Sequence, residues 1–79
     1  DLVNTEEVYE KLSNLDDLEA FSHKKDCKDN ERYNLLFKKS NKYYIMVAVS
    51  FANSHINLVT SFVTKRSRGK PEELVKRWG

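Results

Sequence analysis

The sequence predicts an α+β domain with an N-terminal helix, an antiparallel meander sheet of three to four strands and a short C-terminal helix. Three observations predict it. Apolar residues recur at helical spacing only near the two ends of the chain. Between them lie runs rich in Tyr, Ile, Val, Phe and Thr, the composition of strands. The links between those runs are short and polar, which suits hairpins. Helices at both ends of one meander imply that they pack on a single face of the sheet and leave the other partly open.

Asn4 is a good helix N-cap, and Glu7 follows at capping-box spacing. Val8, Leu12 and Leu15 form one apolar stripe, so a helix is expected over about 5–14. Residues 17–23 are ambiguous. Leu18, Ala20 and Ser22 alternate with Glu19, Phe21 and His23, as on an edge strand. The same residues also suit a further helical turn, and the strand is the favoured reading. Residues 24–32 are polar and aperiodic and read as a loop. Residues 33–39 read as a strand, and Ser40-Asn41 as a two-residue turn. Residues 42–51 are apolar on both faces and so belong at the centre of the sheet. Asn53-Ser54-His55 makes a second turn, and 56–65 the last long strand. Lys70-Pro71-Glu72-Glu73 then opens a helix, with proline at its first position and acids at its positive end. Leu74, Val75 and Trp78 supply its apolar side, Lys76 and Arg77 suit its negative end, and Gly79 is a candidate cap.

Seventy-nine residues make one small domain, 1–79, read here as a domain that can belong to a longer chain. A chain of this size buries only about 60% of its unfolded surface, so its core is thin. The longest apolar run, residues 43–49, is far short of the roughly 20 residues that span a bilayer. No membrane partner is expected. A lone Cys27 excludes an internal disulfide, and one Cys with two distant His residues makes no zinc motif. No metal or other cofactor is expected. The net charge of +2 hides an asymmetry. Acids crowd the first 22 residues, whereas Lys and Arg dominate the rest, a pattern that suggests a basic working face. A merely solvated acidic helix explains the same asymmetry equally well.

Strict alternation puts Leu58, Thr60, Phe62, Thr64 and Arg66 on one face of the last strand, and Val59, Ser61 and Val63 on the other. The valine face looks helix-packed, which leaves the threonine face open. Phe62 between hydroxyls and bases suits stacking of an unpaired nucleobase. The plainer reading, with Phe62 in the core and threonines as ordinary strand formers, is better supported by these residues alone. Lys65, Arg66, Arg68 and Lys70 form a basic run before a helix start, where phosphate is favoured. Lys38, Lys39 and Lys42 flank the first turn, as a solubilising tip or a substrate grip. Tyr43 and Tyr44 must point to opposite faces, one buried and one available for RNA; Tyr44 is taken as the RNA contact. His23 and His55 are candidate acid–base groups, since imidazole titrates near neutrality. Cys27 lacks the partner a thiol nucleophile needs.

Residues 33–39 (YNLLFKK), 43–49 (YYIMVAV) and 56–66 (INLVTSFVTKR) together resemble the Barnase–EndoU–Colicin–RelE ribonuclease group, especially its phage-type and toxin-type members. The resemblance covers about 5–68. It implies metal-independent cleavage of RNA, tRNA or another structured RNA, through attack of a ribose 2′-hydroxyl on the adjacent phosphorus. Carried over by position, Arg66 meets the phosphate charge, Thr60 and Thr64 hydrogen-bond phosphate or ribose, and Lys38 is a second cation. Lys65, Arg68, Lys70, Phe62 and Tyr44 would contact RNA. Many members carry a His in or before the first helix, and none stands there in this chain. A toxin reading implies a cognate inhibitor or immunity protein, and a cytoplasmic or delivered setting. The competing expectations are a non-catalytic RNA- or ribosome-binding module and a protein-interaction domain that pairs through a sheet edge.

Overall fold

The computed structural model describes residues 5–25, 27–52 and 54–77. Helix α1 spans Thr5–Ser13 and a 3-10 turn follows at Leu15–Asp17. Four strands come next: β1 (Leu18–Lys25), β2 (Glu31–Lys38), β3 (Tyr43–Ala52) and β4 (His55–Lys65). A second 3-10 turn, Arg66–Arg68, leads to helix α2, Pro71–Arg77. The strands form one antiparallel meander in the order β1-β2-β3-β4. The α+β class and the element order therefore match the sequence reading. The expected roles of Asn4, Asn53, Trp78 and Gly79 fall outside the described residues.

The favoured strand reading of residues 17–23 holds, with a 3-10 turn just before it. Leu15–Asp17 makes the extra helical turn, capped by Asn14, whose Oδ1 accepts from the Asp16 N–H at 3.1 Å. The chain then enters β1, where pairing with β2 satisfies its backbone. The expected loop over 24–32 is shorter, because β1 runs to Lys25 and β2 starts at Glu31. The first hairpin link is longer than two residues. Lys39 and Ser40 both donate their N–H to the Tyr43 carbonyl, at 3.1 and 3.2 Å.

The two helices lie on opposite faces of the sheet, which corrects the one-face expectation. Val8 of α1 packs with Phe37, Ile45, Val47 and Val49. Leu74 and Val75 of α2 pack with Leu36, Tyr44 and Met46. The reason lies in β2 and β3, whose adjacent residues Leu36 and Phe37, and the whole run Tyr44 to Val49, are buried. A strand apolar on both sides needs a cover on both sides. Each fully buried side chain of this size contributes about 1.5–3 kcal/mol, so a single cover would leave half the sheet's apolar surface in water.

Alternation along the edge strands is broken by bulges. In β4, Thr60 opposes Ala48 and Leu58 opposes Val49, which leaves Val59 as the extra residue. Leu58 therefore joins the α1 face while Thr60 stays on the α2 face, and Val59 and Val63 do not share a helix-packed side. In β1, Leu18 opposes Phe37 and Ala20 opposes Leu36, so Glu19 is the extra residue. Leu18 packs in the α1 cluster and Ala20 in the α2 cluster.

Helix α2 is short but firmly docked. The Lys70 carbonyl accepts from the N–H groups of Glu73 and Leu74, at 3.1 and 3.0 Å. In its last turn, where carbonyls lack helical partners, the Val75 carbonyl accepts from Ser22 Oγ at 3.0 Å and from Asn34 Nδ2 at 3.3 Å. Gly69 enters the helix at φ 158 and ψ −177, a region held almost only by glycine. Among the described residues, no helix is long and apolar enough to cross a membrane.

Candidate nucleic-acid interface

The end of the sheet where β2 stops, β3 starts and β4 stops collects bases from four segments. Across the α2 face, Lys38, Tyr44 and Thr64 stand side by side in one cross-strand row. The next row on that face is Leu36, Met46 and Phe62, and the one after it is Asn34, Ala48 and Thr60. The backbone N–H of Arg66 donates to the Lys42 carbonyl at 2.9 Å, which prolongs the β3–β4 ladder by one step. That step keeps Arg66 on the face of Thr64. Its guanidinium lies 4.7 Å from the centroid of the Tyr44 ring and donates to the Ser40 carbonyl at 3.3 Å.

Three adjoining clefts surround this end of β4. One of about 170 Å³ lies between β4 and α2, with Met46, Phe62 and Leu74 as floor and Thr64, Arg68 and Arg77 as rim. A second, about 270 Å³, wraps the sheet edge between Tyr43, Lys65 and Arg68. The third, about 470 Å³, is bounded by Asn41, Lys42, Tyr43, Lys65, Arg66 and Ser67. Arg77 Nη1 donates to the Arg68 carbonyl at 3.4 Å and Arg77 Nη2 lies 4.0 Å from Glu73 Oε2. The arrangement offers several guanidinium and ammonium donors, a threonine hydroxyl and an apolar floor within one surface. Such a surface can hold phosphate and a flat ring together.

Not every expected residue joins it. Thr64, Lys65, Arg66 and Arg68 converge. Thr60 is on the correct face but lies four residues up the strand from Thr64, about 13 Å. Phe62 is half-buried and packs against the α2 cluster, so it is core first and cleft floor second. Tyr44 is buried beneath Arg66 and cannot receive a base on its ring, while Tyr43 is the more exposed of the pair. Lys38 sits two strands from Thr64, about 10 Å; the Asp17 carboxyl is held below its ordinary range by the hydrogen bond and charge of Lys11, to which Lys38 adds a smaller part. Lys39 pairs with Glu7 of α1 at 2.9 Å. Lys70 is exposed just before α2.

The histidines lie at the other end of the sheet. His23 opposes Tyr33, five residues along β2 from Lys38, or about 17 Å away. Its ring stacks on Tyr33 with centroids 4.6 Å apart, and its Nε2 pairs with Glu31. His55 begins β4, nine residues from Thr64, or about 30 Å. Neither imidazole reaches the basic end. Arg77 was missed in the sequence as a cleft residue, because its position looked like a dipole partner for α2. The signal available was only the i, i+3 spacing from Leu74.

Cys27 is exposed, and no group of three or more His, Cys, Asp or Glu among the described residues is placed to hold a metal ion. Comparison with protein-family models, with curated proteins and with solved structures finds nothing that matches this chain.

Proposed function

We propose that the chain is a small ribonuclease-like domain that grips a phosphodiester of RNA at the basic end of its sheet and cleaves it without a metal. The observation that carries this is the convergence of Thr64, Lys65, Arg66, Arg68 and Arg77 around three joined clefts. In the reaction a ribose 2′-hydroxyl loses its proton to a base, the 2′-oxygen bonds to phosphorus, and the bond from phosphorus to the 5′-oxygen breaks. The leaving oxygen takes up a proton. Arg66 and Arg68 stabilise the charge that grows on the phosphoryl oxygens. Thr64 donates a hydrogen bond to phosphate or ribose. Glu73, beside Arg77, is the candidate base that replaces the distant histidines. Tyr43 is a candidate proton donor to the leaving oxygen.

The test is incubation with total tRNA in EDTA, read on a denaturing gel, beside Arg66→Ala and Glu73→Gln. Discrete fragments are expected from the parent, and removing one charge-stabilising donor should slow their formation by about 10²–10³-fold. Parent-level cleavage by Arg66→Ala would sink the assignment of this surface.

One observation favours a second reading, a non-catalytic RNA-binding module: no imidazole stands at the basic end. That reading predicts intact RNA with salt-sensitive binding. Each phosphate contact should steepen the fall of log affinity against log salt by about 0.7 for a single strand.

A further inference from the structure

The α1 face is only half covered. Nine helical residues extend about 14 Å, while the ten residues of β3 extend about 33 Å. Helix α1 lies over Phe37, Ile45 and Val47 and its Leu12 reaches the near edge of the groove beside Val49, and among the described residues no helix covers the far half of the face, toward Phe51 and Ile56. There a groove of about 450 Å³ is lined by Leu15, Tyr33, Leu35, Val49, Phe51 and Ile56. Phe21 and Leu58 flank it, since they oppose Leu35 and Val49 on the same face.

We infer that this half-face is the interface of a symmetric dimer, closed by the same half-face of a second copy. Area argues for it first. Leu15, Phe21, Phe51, Ile56 and Leu58 are 56, 60, 39, 65 and 43% exposed. With roughly 200 Å² for each such side chain when fully exposed, they present on the order of 500 Å² of apolar surface. A stable dimer buries about 800 Å² per partner, and homodimer interfaces are about 65% apolar, so the apolar share needed is also about 500 Å².

Charge argues for a second copy over a charged partner. The groove's carboxylate, Glu31, already pairs with His23 and lies 4.0 Å from Lys25 Nζ within one copy. Among the described residues, Glu31 is the one charged side chain of the groove lining and is engaged within its own copy, so the groove offers no free charge for an oppositely charged protein to recognise. Shape agrees as well. A sheet packs about 10 Å above another sheet, and a helix layer is of similar thickness. The partner's sheet can therefore sit level with α1 and abut it. The two basic ends remain free in such a pair, so the dimer does not depend on the proposed activity.

The test is sedimentation equilibrium of the 79-residue chain across micromolar to near-millimolar concentration, beside Ile56→Lys and Phe51→Lys. The parent should sediment at twice its 9.3 kDa mass, and each variant at the single-chain mass with an unchanged circular-dichroism spectrum. A parent that stays at the single-chain mass throughout overturns the inference. So does a dimer that both variants leave intact. A dimer lost on replacing Lys65 by Glu but kept in Ile56→Lys would place the interface at the basic end and overturn it too.

Discussion

The two faces of the sheet are each served by one short helix, yet they end in different states. On one face α2 brings two adjacent buried residues, Leu74 and Val75, and receives side-chain hydrogen bonds from β1 and β2 on the Val75 carbonyl. On the other, α1 buries Val8 alone and is tied by surface ion pairs, Lys39–Glu7 and Lys11–Asp17. Surface pairs are worth about 0–1 kcal/mol each, whereas a hydrogen-bonded, buried helix end is costly to disturb. The closed face carries the smallest basic cleft, the other two lie beside it around the sheet edge, and the half-open face carries the apolar groove. The proposed grip thus borders the better-anchored layer, and the proposed dimer contact uses the loosely covered one.

Placing a carboxylate at Val75 should break the contrast most severely. Val75→Asp leaves an unpaired buried charge and should cost about 3–5 kcal/mol, a large part of the stability of a domain this small. The same change at Leu58, on the open half-face, should stay within about 0.5 kcal/mol for the isolated chain. Urea denaturation at low protein concentration compares the two, and equal costs would mean that the α1 face is closed in solution. Asn34→Ala removes one donor from the Val75 carbonyl and should cost about 1–3 kcal/mol, with faster amide exchange in α2 than in α1. Gly69→Ala should cost about 1 kcal/mol through backbone strain. An added Cβ would meet Glu73 Oε2 at 3.5 Å and Leu74 Cδ2 at 3.7 Å, which are ordinary contacts, so crowding is not the cause.

The smallest effect concerns the tie of α1. The Asp17 carboxylate accepts a hydrogen bond from Lys11 Nζ at 2.5 Å, and this bond with the lysine charge holds its pKa below the ordinary 3.8. A depressed carboxylate pKa stabilises the fold above the unfolded value. That contribution should be full above about pH 5 and lost as pH falls through 3.8 to the lower folded value. Asp17→Asn should flatten this part of the acid limb while leaving the α2 face, followed by amide exchange, unchanged.

The succession of elements was legible because each run carries its own period and its own turn residues. The assignment of faces was not. Alternation counted across Val59 and Glu19 fails, since one extra residue inverts every side chain beyond it, and a bulge has no dependable mark in a single sequence. The placement of the helices was open to inference after all. Residues 44–49 are apolar without alternation, and a strand of that kind requires cover on both sides. In the candidate site, Thr64, Lys65, Arg66 and Arg68 were readable because they are close in sequence. Arg77 was not, because only the docking of α2 brings it to β4. Tyr44 was misjudged because nothing in the chain announces that Arg66 will lie across its ring.

The docking of α2 also orders events in time. The sheet precedes residues 71–77 in the chain, so during synthesis Leu36, Met46 and Tyr44 have no cover until that stretch emerges. Arg77 and Glu73 arrive with it, and so does one wall of the smallest cleft. A nascent chain that has finished its strands but not its second helix holds an exposed apolar face and an unassembled grip. Maturation of the surface and completion of the fold become the same event, and under the proposed function a polypeptide still attached to the machinery that makes it would be kept from working on RNA around it.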